Sequence, residues 1–265
     1  MAPPLPFLPG HLPDATAPLA RFLPPLPPGV AAGYALRTTQ PGDLILDPFG
    51  IAPRAAVELA AAGRRVLVTA HNPVTRFLLE LAAQPPPPGA FRAALARLAA
   101  ARKDDLRLEL HLRALYETPC PTCRRPVQPE YFVWQKEPPA LTARVIHCPH
   151  CGSGGEFPPA SRDGQQAEAY GRSGLQYALA LDRAAPLGDP DREYALEALA
   201  VYPPRAIYVL FTLILKLETL ELPPSERRAA HALLLGALDA GAGLSSHPDP
   251  LPRPRQLSLP AHYRE

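Results

Sequence analysis

The strongest constraint on the fold is a pair of matching cysteine motifs in the middle of the chain. "CPTC" supplies Cys120 and Cys123, and "CPHC" supplies Cys148 and Cys151, with 24 residues between the two pairs. Two residues between cysteines allow both sulfurs to point into one tetrahedral shell, as structural zinc sites require. The runs "EYFVWQ" and "ARVIHC" between the motifs resemble strands, so the pattern predicts a four-cysteine zinc ribbon with a hairpin closed by "KEPPALT".

There are two alternatives to a zinc site: the four cysteines could form two disulfides, or a CxxC motif could be a redox pair. Disulfides are typical of secreted proteins, and the N-terminus "MAPPLPFLPGHLPDATAPLARFLPPLPPG" lacks the basic region and helical apolar core of a signal peptide. A redox CxxC is a single motif placed in a different fold. A zinc site with four thiolate ligands is therefore the preferred interpretation. His147 and His150 are expected to be bystanders, since four thiolates already complete a structural site.

The zinc ribbon can have either of two roles. It can be a structural staple for a segment too small to fold alone. It can instead contact DNA through Arg124 and Arg125 beside the first motif, with the aromatic residues Tyr131 and Trp134. The basic excess continues upstream, because eight Lys or Arg and four acidic residues lie between Phe91 and Pro126. This region is the predicted phosphate-contacting surface.

Composition narrows the class of protein. The formal net charge of the 265 residues is +2, so no strong overall field attracts nucleic acid or membrane. The longest apolar run, Ala206 to Leu215, ends at Lys216 and is shorter than the ~20 residues of a membrane-spanning helix. We therefore expect a cytoplasmic protein with no membrane partner. The 38 prolines concentrate at both ends and predict an extended N-terminal arm and a Pro-rich tail.

A second pattern lies between Gly42 and Pro73, "GDLILDPFGIAPRAAVELAAAGRRVLVTAHNP". "DLILD" and "RRVLVTA" are short apolar runs typical of buried strands. "PRAAVELAAAG" between them has proline in the first helical turn and Gly63 at its end, and "PVTRFLLELAAQ" is a second helix. Strand, helix, strand, helix with short joints predicts a βαβα unit and a parallel sheet.

The same segment resembles the cofactor motif of the amino-group DNA methyltransferases, which methylate N6 of adenine or N4 of cytosine using S-adenosylmethionine. Asp47, Pro48 and Phe49 match that motif, and the Asn72-Pro73 pair matches the end of its second strand. The resemblance implies a Rossmann-like core that binds S-adenosylmethionine through Asp47, Pro48, Phe49, Gly50 and Asn72. A four-cysteine insertion downstream is similar to one carried by some methylase-like proteins.

The match is incomplete in three places. Two family glycines fall on Ile51 and Pro53, and the acid that binds the ribose falls on Ala70. The catalytic motif [DNS]-P-P-[YFW], which holds the flipped base, is also missing: "EPPA" and "YPPR" keep only its prolines. No catalytic residue is therefore assigned, and methylation is expected to need a second chain carrying the catalytic half.

The predicted fold class is α/β, with a partial Rossmann-like methyltransferase core, an inserted zinc ribbon and a helical C-terminal region. The leading functional hypothesis is a degenerate or incomplete DNA methyltransferase-like protein. The alternative is a non-catalytic nucleic-acid-binding or scaffold protein, and a third is a purely structural partner subunit. The predicted segments are the arm at 1–41, the βαβα unit with a following helix at 42–117, the ribbon at 118–158, the helices at 159–245 and the tail at 246–265.

Overall fold

The computed structural model describes residues 6–10, 23, 26–172, 174–248 and 260–265. The chain divides into two compact units, residues 1–88 and 89–265. This division differs from the predicted boundary at 117/118, because the helix that follows the βαβα unit packs within the second unit. Residues 1–5, 11–22 and 24–25 of the predicted N-terminal arm and residues 249–259 of the predicted tail lie outside the described residues. Within the described ranges, no helix combines the length and apolar character needed to cross a membrane.

The first unit contains the predicted strand-helix-strand-helix order. Its elements are α1 (Val30–Thr38), β1 (Leu44–Asp47), α2 (Pro53–Ala61), β2 (Arg65–Val68) and α3 (Pro73–Ala83). The two strands pair in parallel, with Leu44 opposite Arg65 and Asp47 opposite Val68. Gly63 has a φ of 83° just after α2, which fits its predicted position at the helix end. The parallel βαβα order is thus confirmed, although the described sheet of this unit has two strands rather than a full Rossmann-like sheet.

The second unit joins a ribbon sheet to a set of helices. Its helices are α4 (Pro88–Ala100), α5 (Leu108–Ala114), α6 (Ser161–Ala169), α7 (Leu175–Ala184), α8 (Arg192–Leu199), α9 (Pro204–Thr219) and α10 (Pro224–Gly241). Its strands are β3 (Arg102–Lys103), β4 (Leu106–Arg107), β5 (Thr118–Pro119), β6 (Pro126–Val127), β7 (Tyr131–Gln135), β8 (Ala140–His147), β9 (Gly154–Phe157) and β10 (His262–Arg264).

The main sheet has the order β10-β7-β8-β9, and all its neighbours are antiparallel. The predicted hairpin is β7–β8, and its central side chains are buried: Phe132, Val133 and Ile146 are at most 2% exposed. Strand β10, at one edge of this sheet, is formed by residues near the end of the chain. The predicted tail therefore contains a strand, since backbone hydrogen bonds tie Glu265 to Phe132 in both directions, at 3.0 and 2.9 Å.

The helices bury apolar stripes against one another. Small residues of α4 and α10 meet in one core cluster of Ala90, Ala94, Leu222, Ala229 and Ala230. Helix α9 buries Ile207, Leu210 and Phe211, and α7 packs on α9 with its buried residues Tyr177 and Leu181. Tyr177 and Leu181 lie four residues apart on one face of α7, whereas α9 is buried almost all round between Arg205 and Thr212.

One predicted helix is interrupted. The pattern "AFRAALARLAAARKDDLRLELHLRALYET", from Ala90 to Thr118, predicts one continuous helix with "ARKDDLR" on a solvated face. Instead β3 and β4 form a tight hairpin, and Asp104 adopts a φ of 53° in its turn. Consecutive aspartates favour a turn because aspartate tolerates the left-handed conformation, and the carbonyl of Asp105 accepts a hydrogen bond from Arg102 at 3.0 Å.

Candidate metal centre and strand-end loops

The two cysteine motifs form matching turns, each at the end of a hairpin. β5 and β6 flank the first turn, and β8 and β9 flank the second. In the first, the carbonyl of Cys120 accepts from the N–H of Arg124 at 3.0 Å, and in the second the carbonyl of Cys148 accepts from that of Gly152, also at 3.0 Å. The N–H of each first cysteine donates to the residue five positions on, at 2.9 and 2.8 Å. We call these two turns the first and second knuckles.

The knuckles bring the four sulfurs together, as the sequence predicted. All four Sγ atoms lie within 4.8 Å of one another, and two pairs, Cys120–Cys151 and Cys123–Cys148, are 3.7 Å apart. A tetrahedron with Zn–S bonds of about 2.3 Å has edges of roughly 3.8 Å, so these two pairs have the separation of zinc ligands. A disulfide requires about 2.05 Å, and the structure has four free thiols. The donor set fits zinc.

The environment of the thiols favours metal binding. Cys120 and Cys148 are at most 1% exposed and pack with Val127 and Ile146, whereas Cys151 is exposed. The backbone N–H of Cys123 lowers the pKa of Cys120 to about 6, against the opposing effect of burial. The thiolate is the form that binds metal, so this lowered pKa favours metal binding at Cys120.

Cys151 is shifted in the opposite direction. The backbone N–H of Ser153 acts to lower its pKa, but desolvation and the neighbouring thiols outweigh that effect and raise the pKa to about 11. Four thiols cannot all ionise side by side without a cation, because like charges at this distance disfavour one another. A divalent ion would remove this conflict, and metal binding should therefore release protons.

The two arginines predicted to contact DNA lie on the first knuckle. Arg124 and Arg125 are both exposed. Arg124 has a φ of 60°, and the equivalent residue of the second knuckle is Gly152, with a φ of 72°. Glycine adopts this left-handed conformation freely, whereas a side chain with Cβ makes it unfavourable by about 1–2 kcal/mol. At this position the first knuckle has an arginine, and the second knuckle has a glycine.

The aromatic side chains that are expected to assist these arginines make other contacts within the protein. Trp134 donates its indole N–H to Oε2 of Glu265 at 2.6 Å. The guanidinium of Arg264 stacks 4.3 Å from the ring centre of Tyr131, and His247 packs edge-on against the same ring. These contacts leave both rings half-buried within the ribbon sheet. The structure therefore does not group Tyr131 and Trp134 with the arginines as a free stacking surface.

Sequence reasoning missed a buried ion pair that fastens β10 to the helices. Arg205 at the start of α9 makes two hydrogen bonds to the carboxylate of Glu265, at 3.0 and 2.8 Å, and their side chains are 0% and 2% exposed. The guanidinium lies 4.4 Å from the ring centre of Tyr116 and 4.5 Å from that of Phe132. Burial and the charge of Glu265 raise the pKa of Tyr116 above its usual range.

A second buried cluster fixes the first knuckle to α6. Arg144 of β8 donates to the hydroxyl of Thr118 and, at 2.8 Å, to the carbonyl of Pro119. Asp163 accepts from Thr118 at 3.0 Å and from the backbone N–H of Ala160 at 2.7 Å, which caps α6. Thr118 and Asp163 are fully buried. Because Thr118 lies 26 residues from Arg144 and 45 from Asp163, no local pattern could have indicated that these three side chains meet.

The predicted cofactor residues lie in the loops that follow β1 and β2. Oδ1 of Asp47 accepts hydrogen bonds from the backbone N–H groups of Phe49, at 3.1 Å, and Gly50, at 2.9 Å. Asn72 caps α3 by accepting from the N–H of Val74 at 2.9 Å. Both polar side chains therefore hold their own turns, as residues of these types commonly do. Phe49 is 74% exposed beside them.

The two loops also contact each other closely. Gly50 has a φ of 59°, and a Cβ there would lie 2.6 Å from the carbonyl oxygen of Thr69 and 3.0 Å from Cβ of Ala70. The Thr69 hydroxyl donates to the carbonyl of Pro48 at 2.6 Å. This close contact between the two loops explains why residue 50 is glycine, and no bound ligand is needed to explain it. Ala70, where the family has its ribose-binding acid, packs against that turn.

Comparisons of the chain with protein-family models, curated proteins and solved structures returned no match. The likeness to DNA methyltransferases therefore rests on Asp47, Pro48, Phe49, Asn72 and Pro73 in the sequence, together with the order of elements that carries them. The candidate metal centre does not depend on this resemblance, because it is supported by the separations of the four sulfur atoms.

Proposed function

We propose that this protein is a non-catalytic zinc-ribbon protein that binds DNA by its phosphates, with Arg124 and Arg125 of the first knuckle as contacts. The observation that carries the proposal is the left-handed Arg124, at a position where the second knuckle uses glycine. An arginine retained at this cost in stability is best explained by what its exposed side chain does. A guanidinium is suited to phosphate because it offers a planar set of donors.

Charge pairing elsewhere supports the choice of these two arginines. Of the eight basic residues between Phe91 and Pro126, four form ion pairs with acidic side chains, namely Arg97, Lys103, Arg107 and Arg113. The side chains of Arg124 and Arg125 have no hydrogen bond or ion pair to any described part of the chain. They are therefore available to a phosphate without first breaking an internal contact.

The expected mode of binding follows from the occupied aromatic rings. Stacking on exposed aromatic side chains is what favours single strands, and Tyr131 and Trp134 are engaged in the ribbon. Phosphate contacts alone position a protein on a duplex without reading its sequence. We expect duplexes of different sequence to bind equally, with affinity that falls steeply as salt rises.

Titration of fluorescent duplexes by the zinc-loaded protein at several salt concentrations tests this proposal. Replacing Arg124 and Arg125 together by alanine should remove about two phosphate contacts and reduce the salt slope by about 1.8. The matched control is Arg76→Ala, which removes an exposed arginine already paired with Glu80, outside the predicted phosphate-contacting region, and should leave binding unchanged. Equal affinity and salt slope for the double variant and the parent would exclude this surface.

A methyl-donor site in the first unit is the second candidate. One observation favours it: Asp47 ends β1 of a parallel βαβα unit, and the turn at Gly50 precedes α2, as in folds that bind nucleotides at strand ends. It ranks second because Asp47 and Asn72 already serve their own turns. The hypothesis keeps the second chain with the catalytic half as a required partner.

Calorimetry with S-adenosylmethionine on the zinc-loaded protein separates the two candidates. The non-catalytic proposal expects no binding heat and no methyl transfer to DNA from a labelled donor. Stoichiometric binding that Ala70→Asp tightens would favour the methyl-donor site, because the new acid could accept hydrogen bonds from the ribose hydroxyls. Methyl transfer by the chain alone, lost on Asp47→Ala, would overturn the expectation that the chain lacks catalytic residues.

A further inference from the structure

Helix α8 is the least supported helix of the second unit. It has eight residues, Arg192 to Leu199, and none of them is buried. Isolated helices this short are unstable in water, and helices in proteins owe most of their stability to tertiary packing. α8 contacts α7, and Arg192 at its start donates to Oδ1 of Asp182 at 2.7 Å and to the carbonyl of Ala185.

The outward side of α8 combines an aromatic residue with acids. Glu193, Tyr194 and Glu197 fall within a 100° arc of the helix and are all exposed. Ala195 and Arg192, which lie about 200° and 260° around the helix from Glu193, are partly covered. Tyr194 is 69% exposed. Leu187, in the turn before the helix, is 88% exposed and is the most exposed large apolar residue in the second unit's described part. We call these four residues, Leu187, Glu193, Tyr194 and Glu197, the α8 surface.

The segment from Asp182 to Glu197 has a net negative charge, opposite in sign to the charge of the whole chain. Between Asp182 and Glu197 there are five acidic residues and two arginines, although the chain as a whole carries +2. Both arginines are paired, Arg183 with Glu218 and Arg192 with Asp182. Glu193 and Glu197 have no ion pair to any residue that the structure describes. The α8 surface is therefore a local anionic patch with two apolar residues.

We propose that the α8 surface binds a basic amphipathic segment of a partner protein. An apolar side chain of the partner covers Leu187 and Tyr194, and its Lys or Arg residues face Glu193 and Glu197. Tyrosine suits such a contact because it offers a large apolar face with little side-chain entropy to lose. Unlike the knuckle, this surface repels phosphate, so the inference does not rest on the proposed nucleic-acid binding.

The probe for this surface is an 18-residue helical peptide of leucine and lysine at amphipathic spacing, with a glutamate-for-lysine peptide as its control. The full-length zinc-loaded protein should bind the lysine peptide and not the glutamate peptide. Leu187→Ser with Tyr194→Ser should weaken binding about tenfold or more, as truncating central contacts does. Glu193→Gln with Glu197→Gln should weaken it about threefold to tenfold at low salt and less at high salt.

Matched variants test whether the effect is local. Glu221→Gln removes an exposed acid, and Leu110→Ser an exposed leucine, elsewhere in the same unit; neither should change peptide affinity. Amide hydrogen exchange adds a second readout: α8 should exchange fast in the free protein and become protected when the peptide binds. The proposal is overturned if the peptide does not bind, binds all variants equally, or leaves α8 unprotected. It is also overturned if α8 becomes protected with increasing protein concentration alone, since the occupant would then be a second copy.

Discussion

Glu265→Gln removes the negative charge from the buried pair with Arg205 while nearly preserving the shape of the side chain. In the folded protein, both hydrogen bonds of the pair, at 3.0 and 2.8 Å, are shielded from water. Burial alone would lower the pKa of Arg205, but the carboxylate of Glu265 keeps it raised. Arginine nevertheless stays protonated in proteins, so in the variant the guanidinium remains charged and lacks its counter-ion.

The expected loss follows from that unpaired charge. Removing one member of a buried ion pair destabilises a protein by about 3–5 kcal/mol. Stacking of Arg205 on Tyr116 and Phe132 is present in the parent and in the variant, so it does not reduce the difference between them. We therefore expect a loss of about 3–5 kcal/mol. For a unit of this size, about 2–4 °C of melting temperature accompany each kcal/mol, so the shift should be roughly 6–20 °C.

Urea unfolding of the zinc-loaded protein, followed by Trp134 fluorescence, measures this loss. Arg205→Met combined with Glu265→Gln should recover most of the stability, since it removes the unpaired charge and keeps an acceptor for the Trp134 indole. The control is Glu218→Gln in the exposed pair with Arg183, which should change stability by no more than about 1 kcal/mol. A Glu265→Gln variant within 1 kcal/mol of the parent, or a double variant less stable than the single one, would refute this account.

Three further changes test other parts of the structure. Cys148→Ser, or removal of zinc by a chelator, should expose the β8–β9 hairpin to proteolysis, whereas purified protein without stoichiometric metal would contradict the zinc assignment. Arg124→Gly should stabilise the ribbon by up to about 1 kcal/mol in urea while weakening DNA binding, and a loss of stability would contradict the strained turn. Asn72→Ala should destabilise the first unit by about 1 kcal/mol through loss of the α3 cap, with hydrogen exchange of α3 as the measurement and an unchanged exchange rate as the contrary result.

The sequence predicted those features whose determinants lie close together along the chain. The spacing of Cys120 and Cys123, repeated at Cys148 and Cys151, predicted the sulfur cluster because two intervening residues fix the direction of both side chains. The βαβα order followed from local periodicity, from proline at the helix starts and from Gly63 at the end of α2. Local chemistry misled where it was ambiguous, since "RKDDLR" between two helical patterns could continue the helix or turn.

Tertiary structure alone decided which polar residues are buried and with whom. Arg205 meets Glu265 across 60 positions, and Trp134 meets the same carboxylate across 131. It also decided that Asp47 and Asn72 hold turns, a role that the sequence could not distinguish from binding a cofactor. By itself the sequence determined the two cysteine turns and the local elements, because backbone geometry links neighbours. The long-range pairs needed the fold, because only packing brings distant side chains into one dry site where their charges must be matched.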